Sequence, residues 1–505
     1  VLQTNLYSVL RTGFAHDLSR VAIESPLRTY SFQDLEAGSA RVANYLTSLQ
    51  LPPGARVAVQ VEKSPEALML YLGTLRAGLV YLPLNTAYRE TEVAYFLGDA
   101  EPSVVVCSAK NRSWVAPLAE QQDGCRVLTL EEDGSGSLSE AIAGLSATFE
   151  TVQCSPDTLA VILYTSGTTG RSKGAMLSHK NMIANARVLD TYWGWQSDDV
   201  LLHMLPIFHV HGLFVAAHGA LLAGARTIWL PKFDLEQALH YLPRSTVMMG
   251  VPTFYVRLLA DARLNRDICQ SMRLFISGSA PLLTDTFESF QTRTGHTILE
   301  RYGMSETVML TSNPYLATEG PRLGGTVGKP LPGVSVRVVN DQLQPVTGGD
   351  IGHIQVRGDN VFSGYWRMPE KTKEEFTRDG WFRTGDMGRW DERGYLVIVG
   401  RSKDLIISGG FNIYPKEIES IIDDMPGVAE SAVVGVPHAD FGEAVVAIVV
   451  PREGVALDAD QIQAALKAGI ANFKVPKKVH VVSELPRNTM GKVQKNVLRE
   501  QFQAL

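Results

Sequence analysis

Apolar residues recur along this chain at two spacings, and the switches between them mark its elements. From residue 1 to about 150 the pattern alternates helix and strand, as layered α/β domains do. Ser31 and Asp34 have the spacing of a capped helix start, and an amphipathic run follows to Leu49. Ser64-Pro65-Glu66 is a second start: a cap, a proline at the first helical position and an acid in the first turn. Residues 56–61, 80–84 and 103–106 read as strands, and the polar 133–137 as a loop. The longest apolar tract, 67–84, is broken by Gly73, Arg76 and Gly78, so it predicts a helix running into a strand and no membrane span. An apolar run at 159–163 predicts a buried strand, and 179–189 a helix. Strands are expected at 226–230 and 246–250, a strand ending in a tight small-residue turn over 273–281, and a strand, a turn at Pro206 and then His209 and His211 over 201–214. From Gly333 the pattern turns β-rich, with strands at 335–339, 353–357 and 394–400 and a loop at 358–366. Beyond Arg401 come a helix at 416–424, strands at 429–436 and 444–450, and a helix at 458–471. That last region has the size of a small α+β domain.

With 505 residues the chain is too long for one core. Its net charge of −6 argues against a nucleic-acid binder relying on phosphate electrostatics. Cys107, Cys125, Cys154 and Cys269 lack paired spacing, which argues against zinc and a disulfide framework and fits a reducing, cytoplasmic setting. No secretory leader or peroxisomal address is legible at the ends.

The densest chemistry follows the strand at 159–163. Thr165, Ser166, Gly167, Thr168, Thr169, Gly170 and Lys173 offer hydroxyls, backbone N–H groups and one ammonium, an inventory suited to a polyphosphate. The interval from Gly167 to Lys173 matches a Walker loop, but Ser172 and Gly174 around the lysine do not. Gly278-Ser279-Ala280 is a tight small-residue turn of the kind that lets backbone approach a flat ring. His209 and His211 have metal-like spacing but no third ligand of the HExxH kind, and read as packing or pocket lining.

Taken in order, Thr165 to Gly174, Tyr302-Gly303-Met304-Ser305-Glu306, Thr384-Gly385-Asp386, Gly400-Arg401-Ser402-Lys403-Asp404 and Pro486 to Lys492 resemble the motifs of the adenylate-forming superfamily of acyl-CoA synthetases, luciferases and peptide-synthetase adenylation domains. The resemblance covers essentially the whole chain, and is closest to the malonyl-CoA synthetases. It implies an α/β fold: a large N-terminal domain, 1–401, of layered α/β subdomains plus a β-rich one, and a small mobile α+β C-terminal domain, 402–505. It implies ATP, Mg²⁺ and coenzyme A as co-substrates and activator, malonate as acid, no nucleic-acid partner, and a monomer or homodimer.

The resemblance also assigns roles. Lys492 is expected to bridge carboxylate and ribose–phosphate oxygens in the first step. Glu306, with Thr168, is expected to hold Mg²⁺, and Thr165 to Gly170 with Lys173 the β- and γ-phosphates. Lys173 would position those phosphates and leave the main catalytic charge to Lys492. Asp386 would accept the ribose hydroxyls, with Arg401 near ribose or phosphate. Gly278, Ser279 and Ala280 would flank adenine, with Tyr302 stacking opposite and Gly303, Met304 and Ser305 beside it. Lys403 would be the hinge that swings Ser408, Gly409, Gly410 and Phe411 toward the pantetheine arm of coenzyme A. Arg301 is expected to fork onto a distal carboxylate, or else to pair with Glu300 in a structural role. His209 would line the acyl pocket.

Malonate enzymes have Thr where Ser305 stands and tend to have Asn at the positions of Val308 and Leu310. Apolar side chains there would favour substituted malonates if they reach the pocket. Loading of a carrier protein and a non-enzymatic nucleotide-binding role compete with acid–thiol ligation. The first is disfavoured because no carrier domain follows Lys492, and the second because Lys492, Glu306 and Asp386 are all present.

Overall fold

The computed structural model describes residues 4–165, 172–408, 411–438, 442–470, 472–488 and 491–503. The helix starts form as their capping chemistry dictates. Ser31 accepts from the Asp34 N–H at 3.1 Å while Asp34 accepts from the Ser31 N–H at 2.7 Å, opening the helix Phe32–Ser48. Ser64 caps Pro65–Arg76 through the Ala67 N–H at 3.0 Å. That helix runs into the strand Val80–Pro83, as the interrupted apolar tract predicts. Among the described residues no helix is long and apolar enough to cross a membrane.

Four sheets carry the fold. One has seven strands in the order Gly364–Tyr365, Lys173–Ser178, Leu159–Thr165, Val80–Pro83, Arg56–Gln60, Val104–Cys107, Arg126–Thr129. A second has nine, among them Leu274–Ser277, Leu299–Met304 and Val308–Ser312 side by side, with Val247–Gly250, Val200–His203 and Arg226–Trp229 further along. Their facing surfaces share the largest apolar core, which includes Tyr71, Leu177, Leu201, Phe214 and Leu299. The β-rich region forms a four-stranded antiparallel sheet, Ser335–Val339, Gly352–Arg357, Phe382–Trp390 and Leu396–Arg401. The fourth sheet begins at Ile406, beyond a short turn at Ser402–Asp404. Its long hairpin, Val428–His438 with Gly442–Pro451, is apolar on both faces. The helices Pro415–Asp423 and Ala459–Gly469 cover one face, and Leu485 and Leu498 the other.

Regular structure appears at two places where none is expected. Val210–Ala217, after His209, is a π-helix. It is buried all round, so its sequence has no amphipathic period to betray it. Residues 364–365 pair with Met176 and Ala175, adding a short strand to the seven-stranded sheet beside the phosphate loop.

Candidate active site

Thr165 stands directly opposite Lys173 in an antiparallel pair of strands that flank the expected phosphate loop. Ser166, Gly167, Thr168, Thr169 and Gly170 lie outside the described residues. Tyr95 fixes the loop's exit by donating to the Ser172 carbonyl at 2.7 Å. The Lys173 ammonium lies 4.5 Å over the Tyr365 ring and 3.9 Å from Glu375.

Glu306 sits in the turn between Leu299–Met304 and Val308–Ser312. The turn is tight: a side chain at Gly303 would meet the Val308 carbonyl, so glycine is required there. Val308 itself has φ +55, an unusual backbone for a β-branched residue, and such strain persists only where surroundings enforce it. They do so here. Asn360 donates to the carbonyls of Thr307 and Met309 at 2.8 and 3.0 Å, and the Phe362 N–H donates to the Glu306 carbonyl at 2.8 Å. Val308 and Leu310 are fully buried in the hairpin. Ser305 and Met304 are half-buried at its rim.

The Glu306 carboxylate is buried, and burial pushes its pKa up. Tyr365 donates to it at 2.8 Å. Tyr365 therefore joins two residues on which the motifs converge: its ring carries Lys173, and its hydroxyl holds Glu306. The sequence gives it no role, because the contact spans 59 positions. We expect Tyr365→Phe, which keeps the ring, to weaken Mg–ATP binding measured by calorimetry about 10- to 100-fold, the worth of a hydrogen bond to a charged group. Binding within twofold of wild type would show that Glu306 is placed without the hydroxyl.

Asp386 is buried on Phe382–Trp390. It accepts from the Tyr302 hydroxyl and lies 3.1 Å from Arg401 Nε. Tyr302 is buried, with its hydroxyl tied to this carboxylate. Arg401 and Lys492 are both exposed to water. Desolvation, and then Arg401, push the Lys492 ammonium below its ordinary pKa, while Asp386 and Glu306 pull it back up. His209 is lowered to about 4, by burial and then by the charge of Lys492. Lys492, Arg401, Asp386, Glu306 and His209 thus share one electrostatic neighbourhood. Lys403 lies in the turn after Arg401, and the adjacent Asp404 is tied to Arg499 at 2.7 Å. Ser408 is buried at the end of its strand. Gly409 and Gly410, and the side chain of Phe411, lie outside the described residues.

Arg301 points to the opposite face of its strand from Glu300 and Tyr302. Its guanidinium is buried against Gly278, where any Cβ would strike Cζ at 2.3 Å. Nε and Nη2 are buried and have no hydrogen-bond partner. No ion pair joins Arg301 to Glu300 or to any other acid among the described residues. Burial pushes the arginine's pKa down and that of Glu300 up to about 8. Glu300 is instead engaged by the Leu282 N–H at 3.2 Å. Ser279, half-buried like Ala280, has φ +72 and lies 3.3 Å from Nδ1 of His211, whose buried Nε2 is also without a partner. His211 is lowered by burial and then by the charge of Arg301, so the two unclaimed groups face one region.

The donor set suits magnesium in its usual form, one carboxylate plus phosphate oxygens and water, better than an all-protein cage. Among the described residues no three His, Cys, Asp or Glu side chains gather around a common point.

Comparisons with known proteins agree with this geometry. Residues 12–366 match the model of the AMP-binding enzymes, and 417–492 that of their C-terminal domain. The crystal structure of ATP-bound MatB from Rhodopseudomonas palustris is 56% identical, covers 99% of each chain, and superposes with a TM-score of 0.96. The apo form of the same protein, at the same identity and coverage, gives 0.86, so this chain's arrangement follows the ATP-bound form. Mouse malonate–CoA ligase ACSF3, a mitochondrial protein, is 37% identical over 84% of this chain and 78% of its own. With both family models matched in order across the two parts of the chain, it belongs to the AMP-binding enzyme family.

Proposed function

We propose that this enzyme ligates malonate to coenzyme A at the expense of ATP, through a malonyl-AMP intermediate. The carrying observation is the Arg301 guanidinium, buried and unclaimed on two nitrogens beside the cleft of Lys492 and Asp386. A lone buried cation is costly, and a substrate's second carboxylate offsets that cost through a forked pair of hydrogen bonds. The similarity to a malonate–CoA ligase and to MatB supports the same reading.

In the first half-reaction a carboxylate oxygen of malonate attacks the α-phosphorus of ATP. The bond to the bridging oxygen breaks, and pyrophosphate leaves with it. Lys492 lies between the two anions and lowers their repulsion. Arg301 fixes the distal carboxylate, and His211 borders it. Asp386 turns its oxygens from Tyr302 and Arg401 to the ribose hydroxyls. Lys173 and the loop from Thr165 hold the outer phosphates. Glu306, with Thr168 and the phosphate oxygens, would hold magnesium, which would supply charge neutralisation.

In the second half-reaction the thiol loses its proton and its sulfur attacks the acyl carbon. The bond to the AMP oxygen breaks, and AMP leaves. We place the domain boundary and hinge at Lys403. Rotation there withdraws Lys492 and brings in the strand ends at Ser408 and Phe411, whose intervening Gly409 and Gly410 give the pantetheine arm room.

The test is AMP formation with malonate, methylmalonate, succinate and propionate, each with and without coenzyme A. Malonate-dependent AMP that rises with coenzyme A is expected. No AMP with malonate overturns the reading, and turnover only with a pantetheinylated carrier protein replaces coenzyme A as acceptor.

A further inference from the structure

Lys63 is a buried amine that the reaction does not touch. It is 7% exposed, and among the described residues no carboxylate pairs with it. Its Nζ contacts His203 Nδ1 at 2.7 Å, donates to the His203 carbonyl at 2.9 Å, and lies 4.6 Å over the Trp229 ring. On the far side of the imidazole, Nε2 contacts the Gly212 carbonyl at 2.8 Å. A carbonyl can only accept, so Nε2 carries a proton. His203 is buried and held neutral by its surroundings, so Nδ1 is bare and accepts from the lysine. The amine can donate both bonds whether or not it is charged.

Gly212 belongs to the first turn of the π-helix Val210–Ala217. His209 precedes that helix and His211 lies within it; these are the two histidines that face Lys492 and Arg301. The turn has no slack on its other side: a Cβ at Gly212 would lie 1.9 Å from the Pro206 carbonyl. The orientation of His211 therefore depends on a carbonyl gripped by His203, and the grip depends on a tautomer set by Lys63.

We propose that Lys63 and His203 are positioning residues for the acyl pocket: the lysine fixes the imidazole tautomer, and the imidazole pins the π-helical turn that presents His209 and His211. This rests on the reading that the acid lies between Arg301 and Lys492. It does not depend on which acid that is. The pair reaches the substrate only through the turn, so its loss should register in the acid's KM and leave that of ATP alone.

Three variants separate this from a packing role. Lys63→Met keeps the stem over Trp229 and removes the donor. His203→Gln keeps one acceptor and one donor, and His203→Leu keeps neither. Pyrophosphate release is measured with whichever panel acid the wild type uses best, so failure of the malonate reading leaves the test intact. Lys63→Met is expected to raise the acid's KM about tenfold, as the loss of one well-placed hydrogen bond would, with the ATP KM unchanged. Nitrogen-15 NMR of labelled histidine should show His203 leaving its single Nε2–H form. His203→Gln should stay near wild type while His203→Leu matches or exceeds Lys63→Met. An unchanged acid KM in Lys63→Met, a parallel rise for ATP, or equal behaviour of the Gln and Leu variants would overturn the proposal. Should Lys63→Met unfold, the two His203 variants decide it.

Discussion

Lys492→Ala should abolish the first half-reaction while leaving the second nearly intact. Pyrophosphate release from ATP and malonate should fall by about 10³-fold or more, the upper range for losing a preorganised charge aimed at a developing anion. Thioester formation from supplied malonyl-AMP should stay within about twofold, because a carbon–oxygen bond to AMP needs no second anion drawn in. In this structure Lys492 is within electrostatic reach of Arg401, Asp386, Glu306 and Arg301, which is the neighbourhood the proposed first step requires. A visible tie between the N-terminal sheets and the fourth sheet's region is Arg452 with Asp285 at 3.2 Å, and both side chains are more than half exposed. Such pairs are worth about 0–1 kcal/mol. The depressed pKa of Lys492 adds a sign: first-step activity needs the ammonium, so it should decline with rising pH earlier than an ordinary lysine would allow. Equal loss of both half-reactions in the variant would contradict two working arrangements of one residue set.

Much of this site was legible before any coordinates. Caps at Ser31 and Ser64 are local chemistry, and local chemistry places helices. The residues expected to carry phosphate, ribose and carboxylate chemistry sit in motifs whose order is visible in the chain, and the fold brings Asp386, Arg401, Glu306 and Lys492 together. What escaped was pairwise and distant. Tyr365 meets Glu306 across 59 positions and Lys63 meets His203 across 140, and neither partner announces the other. The π-helix escaped because Gly212 lies within it and its surface is apolar all round. The burial of Val308 and Leu310 was equally hidden: a hairpin tightened by Gly303 and Asn360 encloses both side chains. A strand pattern shows alternation, and the register of its partner decides which face meets the cleft.

The second large effect is expected at Arg301. Arg301→Ala should lower kcat/KM for malonate about 10²- to 10³-fold, matching the few kcal/mol lost when one partner of a buried hydrogen-bonded charge pair is removed. Activity on propionate, which lacks the second carboxylate, should change less than about threefold or improve, since no desolvated guanidinium remains behind the pocket. The alternative is a structural arginine. A structural arginine in a protein interior has acceptors for its five N–H groups, yet Nε and Nη2 here have none, and Glu300 points to the other face and takes the Leu282 N–H. Gly278 leaves room for the guanidinium where any other residue would collide with it. Thermal stability provides the check. Removing an unpaired buried charge should hold Tm or raise it, whereas removing a structural tie should lower it. Arg301→Lys should recover only part of the malonate activity, because an ammonium cannot fork onto a carboxylate in the plane that Nε and Nη2 define. Equal losses on malonate and propionate together with a fall in Tm would mean the arginine supports the sheet, and the distal carboxylate would have to be sought by another cation of the cleft.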